Sequence, residues 1–177
     1  QNQSSAIRCL DASVEGQTAL MANFSPRVGD HSKKPVSAKI LVDCSGSMAG
    51  DSIAAARNAL HRIVVGLEPV DKFSLSRFGS TVEHRSRGMW GGTAQAKASA
   101  KRWIDSVDAN LGGTEMAGAL TSTIAISHGG QSDILLITDG EIQGIDEVID
   151  VAQQSGHRVF VVAIGASPAE VHLRRLA

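Results

Sequence analysis

From Ala38 onward, short unbroken apolar runs alternate with segments whose apolar residues recur at helical spacing. The runs are Ile40-Leu41-Val42, Ile134 to Ile137 and Val159 to Ile164. A strand with one wet face alternates apolar and polar residues, so runs without that alternation imply central strands covered on both faces. Helices interleaved between such strands do the covering, and the expected fold class is α/β with a parallel sheet. Phe73 to Phe78 is more mixed, and Thr81 to Arg85 is polar and basic, as suits an edge strand that discourages further pairing.

Four stripes supply the helices. Between Asp51 and Leu67, residues Ile53, Ala56, Leu60, Ile63, Val64 and Leu67 fall on one face, with Asp51 placed as an N-cap. Ala96, Ala100, Trp103, Ile104 and Val107 repeat the pattern, and Met116, Ala119, Leu120, Thr123 and Ser127 do so more weakly. Ile145, Val148, Ile149 and Ala152 form the fourth stripe, which Gly156 closes. Ahead of this region, Thr18, Leu20, Ala22 and Phe24 alternate within residues 17–24, as in a half-buried strand. Ser25 to Ser37 holds two prolines, a glycine and a Lys pair, which reads as an exposed connection. The expected organisation is an N-terminal segment and linker over 1–37 and a domain over 38–177.

Composition removes several function classes. Seventeen Lys and Arg against 18 Asp and Glu give a net charge of −1, so no overall field draws the chain onto nucleic acid. Four Phe, two Trp and no Tyr leave few platforms for base stacking. The apolar runs fall far short of the roughly 20 residues that span a bilayer. Two cysteines, Cys9 and Cys44, allow at most one disulfide. The opening Gln1-Asn2-Gln3 carries no secretory signature, and Pro168 to Ala177 reads as an unfinished helix. The sequence is therefore expected to be an excerpt of a longer multidomain protein, truncated at its C-terminal side, and it assigns no compartment.

Two of the apolar strands end in aspartate, at Asp43 and Asp139. Ligands of open α/β sheets bind outside the carboxyl ends of the strands, near the point where strand order switches. Ser45 and Ser47 follow Asp43 at alternate positions of its loop, and Thr114 follows Gly112-Gly113 where another helix begins. Hard oxygen donors from three loops suit Mg²⁺, which wants octahedral oxygen and keeps several waters. Two carboxylates only balance a dication, so the metal would stay electrophilic toward an incoming carboxylate.

The D-x-S-x-S run at Asp43, Ser45 and Ser47, with Thr114 and the Thr138-Asp139-Gly140 strand end, resembles the von Willebrand factor A domain and its metal-ion-dependent adhesion site (MIDAS). The strings DCSGSM, GGTEM and TDGE are most similar to the A domains that stand behind inter-alpha-trypsin-inhibitor-type (VIT) domains, including bacterial ones. The resemblance runs from Ala38 to Ala177. It implies a Rossmann-like, doubly wound, mostly parallel sheet in order 3-2-1-4-5-6, with one antiparallel edge strand and helices on both faces. It further implies that Ser45 and Ser47 ligate Mg²⁺, or Mn²⁺, directly. Thr114 would bind directly or through water, and Asp43 and Asp139 through water. The sixth position would take an Asp or Glu of a protein partner, with Glu141 tuning the rim.

The implied function is metal-dependent protein interaction rather than catalysis. The alternatives are an architectural domain with a structural or degenerate metal site and, less favoured, a Mg²⁺-dependent hydrolase. A serine nucleophile needs a base in reach, and no G-x-S-x-G elbow is present. No G-x-x-x-x-G-K-[ST] loop is present either. Cys44, between Asp43 and Ser45, reads as a small buried residue, and the histidines lack metal-ligand spacing. Trp90 lies in a glycine-rich stretch, open either to core packing or to use as an exposed anchor.

Overall fold

The computed structural model describes residues 5–10, 18–23, 34–126, 131–140 and 144–165, the first two by backbone alone. The chain divides into two compact units, 1–34 and 35–177. In the first, β1 (Ser5–Leu10) pairs antiparallel with β2 (Thr18–Asn23), Ser5 opposite Asn23 and Leu10 opposite Thr18. The alternation over 17–24 thus corresponds to β2, whereas β1, also six residues long, has no counterpart in the sequence reading.

The second unit is built on one sheet. Its strands are β3 (Ser37–Asp43), β4 (Lys72–Phe78), β5 (Val82–His84), β6 (Trp90–Gly91), β7 (Asp133–Thr138) and β8 (Val159–Ala163). The order is β5-β4-β3-β7-β8, parallel from β4 through β8. Both β5 and the two-residue β6 run antiparallel along the outer edge of β4, so that edge is shared between two short strands. This is a mostly parallel, Rossmann-like arrangement, and the five strands match the first five positions of the order 3-2-1-4-5-6.

Alternate residues of the central strand feed two cores. Ile40 and Val42 pack with Ile53, Ala56, Leu60 and Val64 of α1 (Asp51–Gly66) and with Ala100 and Ile104 of α2 (Ala94–Asp105). Leu41 packs on the opposite face with Met116, Ala119 and Leu120 of α3 (Met116–Ile124) and with Val148 and Ala152 of α4 (Ile145–Ser155). Continuous apolarity in β3 is thus the consequence of a helix layer on each side.

Three expectations are corrected. Asp51 is not the N-cap: Gly50, at φ 81°, takes that place, and Asp51 is the first helical residue, where its charge meets the positive end of the helix dipole. Val159 to Ile164 is not a strand covered on both faces: among the described residues β8 pairs with β7 alone, and Phe160 stays 48% exposed. Trp90 is not in an irregular loop but in β6, its ring edge-on to Phe73 with centroids 6.0 Å apart. Ser127, the last residue of the third stripe, lies outside the described residues.

Candidate metal centre

Strand order reverses between β3 and β7, and both Asp43 and Asp139 leave the sheet at that crevice. Asp43 is the last residue of β3 and is fully buried; Asp139 directly follows β7 and is half-buried. The Asp43 carboxylate accepts at both oxygens, from the Ser45 backbone N–H at 2.9 Å and from the Thr138 hydroxyl at 2.7 Å. Burial raises its pKa above the ordinary carboxylate value; the bonds from Ser45 and Thr138 oppose that rise, and the nearby Asp139 charge adds to it. A cation at this place would relieve both burial and repulsion.

Ser45 begins a one-turn 3₁₀ segment, Gly46–Met48. The turn brings the next-but-one side chain round, so the Ser45 and Ser47 hydroxyl oxygens stand 3.1 Å apart. Ser45 is buried and Ser47 exposed, so the pair opens from the protein toward solvent. Oxygens that share an edge of an octahedron around Mg²⁺, with bonds of about 2.0–2.1 Å, stand about 2.9 Å apart. The spacing of the two hydroxyls fits adjacent ligand positions.

Thr114 is delivered by backbone bonds between loops. Gly46 N–H donates to Gly112 O at 2.8 Å, and Leu111 N–H to Cys44 O at 3.0 Å. From the β4 end, Ser80 N–H donates to Leu111 O at 2.6 Å, and its hydroxyl accepts from Gly113 N–H at 2.8 Å. Glu115 N–H reaches Gly79 O at 2.9 Å. A Cβ on Gly79 would stand 2.4 Å from Leu111 O, so glycine permits this approach. Thr114, half-buried, is held between these anchors and α3.

Asp43, Ser45, Ser47, Thr114 and Asp139 are therefore carried by three neighbouring loops. Glu141 lies outside the described residues. Two contributors were missed as site residues: Thr138, which holds Asp43, and Ser80, which holds the Thr114 loop. Both stand at or just past strand ends, the same positional signal that marked Asp43 and Asp139. Cys44 is free and fully buried, its thiol pushed up to about 12 by burial, so it is inert as nucleophile or ligand. Among the described residues no three His, Cys, Asp or Glu cluster as a metal site, so a cation here would depend on hydroxyl donors and would be hard.

The family model for the von Willebrand factor type A domain matches residues 39–177. The chain belongs to this family. A von Willebrand factor A domain-containing protein of Dictyostelium discoideum is 34% identical over 134 residues, 72% of this chain and 14% of that protein. The A domain described here therefore spans a small fraction of the curated relatives it matches. Among solved structures, a von Willebrand factor type A protein from Catenulispora acidiphila aligns at a TM-score of 0.69 and 22% identity, covering 90% of this chain and 38% of that one. Proximal thread matrix protein 1 from the mussel byssus, with a zinc-occupied MIDAS motif, aligns at 0.63 and 19%, covering 81% and 41%. A domains are modules of protein interaction and adhesion. No helix among the described residues is long and apolar enough to cross a membrane.

Proposed function

We propose that this A domain binds a protein partner through a divalent cation held at the β3–β7 crevice, a MIDAS in function as well as in sequence. Ser45 and Ser47 would be direct ligands, and Thr114 a direct or water-linked one. Asp43 and Asp139 would act through water: Asp43 already accepts one hydrogen bond at each oxygen, and each oxygen keeps capacity for a second. The observation that carries the reading is the 3.1 Å spacing of the Ser45 and Ser47 hydroxyls. The zinc in the mussel protein's motif supports a divalent cation; the all-oxygen donors here favour Mg²⁺ or Mn²⁺. With no more than two negative charges around it, the cation would keep an attraction for an Asp or Glu from the partner. The DCSGSM, GGTEM and TDGE strings support a VIT-associated A domain, bacterial in type, within a longer protein.

The architectural alternative is less well supported. Backbone hydrogen bonds tie the Ser45–Ser47 loop to the Thr114 loop, and the Thr138–Asp43 side-chain bond ties in the Asp139 loop, so none of the three needs a metal clamp. Among the described residues a serine-hydrolase reading finds no histidine base: His61 contacts Asp105, His84 contacts Ser76 and Ser122, and His157 contacts Ser132 O.

The test is thermal melting in EDTA and in millimolar Mg²⁺ or Mn²⁺, for the parent chain and Ser47→Ala. Native-state binding at a hundredfold excess over Kd stabilises by about 2.7 kcal/mol, a rise of several degrees. A rise in the parent that Ser47→Ala abolishes supports the site. No rise in the parent would defeat it. Thr114→Ala then separates the roles: lost capture of acidic peptides with unchanged melting indicates adhesion, and lost stability alone indicates a clamp.

A further inference from the structure

A second polar feature lies at the other end of β4. The metal-site loops lie at the carboxyl end of the sheet, where β4 ends at Phe78, whereas β6 pairs with the first two residues of β4, Lys72 and Phe73. Between β6 and the start of α2 is a cavity of about 470 Å³ lined by Arg85, Met89, Trp90, Thr93, Gln95 and Ser99 among others. That volume is in the range of small-molecule sites.

Arg85 dominates its chemistry. The guanidinium stands over the Trp90 ring, its central carbon 3.4 Å from the ring centroid, and one terminal nitrogen donates to the Ser99 hydroxyl at 2.5 Å. The other terminal nitrogen is enclosed and has no hydrogen-bond partner. No carboxylate among the described residues pairs with this cation: burial and then the like charge of Arg102 both lower its pKa, and no acidic neighbour offsets them. The side chain as a whole is only partly buried and lines the cavity, so its charge, which has no counter-ion, is open to an anion from the cavity side. The ion pairs formed elsewhere on this surface, Arg77–Glu83 and Arg158–Asp133, show what is missing here.

The walls define what would fit. A guanidinium over an aromatic ring presents its N–H edge as a fork, which matches a carboxylate in bidentate geometry. One unpaired cation calls for one negative charge, which favours a carboxylate over a phosphate dianion. Trp90 and Met89 offer apolar surface beside it, and the start of α2, capped by the Thr93 hydroxyl accepting from Ala96 N–H, puts the positive end of a helix dipole on the same side.

We propose that Arg85 and Trp90 form a binding site for the carboxylate of a small amphipathic acid, separate from the metal centre. The acid is free in solution or is the terminal carboxylate of a short peptide with an apolar last residue.

The test follows the Trp90 indole N–H resonance of the purified chain during titration with hexanoate, acetate, phosphate and an acetylated dipeptide ending in leucine. The chain has two tryptophans, so Trp103→Phe assigns the signal. A saturable shift with hexanoate, weaker with acetate and phosphate, is expected; tighter binding of the dipeptide would identify a peptide terminus as the source. Arg85→Gln should weaken binding at least about tenfold, the worth of one charged hydrogen-bonded contact. Gln95→Glu, at an exposed position of α2, keeps the test available should Arg85→Gln fail to fold: its carboxylate would compete for Arg85 and weaken hexanoate to a similar degree. Absence of a saturable shift, unchanged affinity in the variants, or phosphate binding more tightly than hexanoate would each overturn the proposal.

Discussion

Thr138 and Asp43 are 95 positions apart in sequence, yet the Thr138 hydroxyl donates to the Asp43 carboxylate at 2.7 Å, both residues fully buried. The pairing follows from the sheet: β3 and β7 run parallel with Val42 beside Ile137, so the next residue of each strand stands side by side at the crevice. The same hydroxyl accepts from Gly140 N–H at 3.1 Å, which turns the chain after Asp139. One side chain thus orders both aspartate-bearing loops.

Thr138→Val keeps the shape and deletes that link. It leaves a buried carboxylate oxygen without its donor and a buried N–H without its acceptor, an expected loss of about 1–3 kcal/mol. Urea unfolding of the metal-free protein measures it, and Thr138→Ser should restore most of the loss. An unchanged midpoint would mean that water replaces the hydroxyl without cost.

Gly79→Ala attacks the site from the β4 side. The new Cβ would meet Leu111 O at 2.4 Å, and backbone rather than a flexible side chain must give way. Displacing Leu111 also strains the bonds that place Thr114. Stability should fall by about 1–3 kcal/mol, and Mg²⁺ should raise the melting temperature less than in the parent. Gly118→Ala, inside α3 where a Cβ meets nothing within 4 Å, is the control: it should raise stability by about 0.5–1 kcal/mol through helix propensity and leave the Mg²⁺ response unchanged.

His84 gives the fold a pH dependence. It bridges the buried Ser76 and the α3 residue Ser122, at 2.7 Å on each side, and burial holds its pKa below the usual 6.5. The folded state then binds fewer protons than the unfolded chain between the lowered value and 6.5, so stability rises with pH in that window. The contribution of His84 is complete above 6.5 and is lost as the pH falls toward its folded pKa. Unfolding midpoints at pH 7.5 and 5.5 should differ less in His84→Gln than in the parent. An equal difference would assign the effect to other groups.

Sequence reading reached the sheet and its crevice because both rest on strong local signals. The unbroken runs at Ile40 and Ile134 arise from two covered faces, and aspartates ending two such runs must share the carboxyl end of a parallel sheet. Thr114 required the resemblance, because its position depends on bonds between loops remote in sequence, Gly46 to Gly112 and Ser80 to Leu111. The pairing partners of Trp90 and the bridge through His84 were beyond reach for the same reason. Arg85 was counted with its neighbours as edge protection, and only the tertiary arrangement shows it over Trp90. Val159 to Ile164 misled because an apolar run has the same appearance at the end of a described sheet as at its centre.

Lys39 is the sharpest departure from local expectation. It precedes the apolar run of β3 yet is only 2% exposed, with its ammonium donating to Ile124 O at 2.6 Å near the C-terminal end of α3. The carbonyls there lack intrahelical donors and carry the negative end of the dipole, so a cation is suitably placed. Burial nevertheless lowers its pKa from 10.5. The folded state therefore binds fewer protons than the unfolded chain between the lowered value and 10.5, and this residue makes stability rise with pH across that window. Lys39→Met keeps the length of the side chain and removes both the charge and the hydrogen bond. If desolvation outweighs the bond, thermal melting at pH 7 should show equal or greater stability, and the alkaline rise should disappear. A loss of more than about 2 kcal/mol at pH 7 would instead make the Ile124 contact the larger effect, as for a charged hydrogen bond whose removal strands a buried carbonyl.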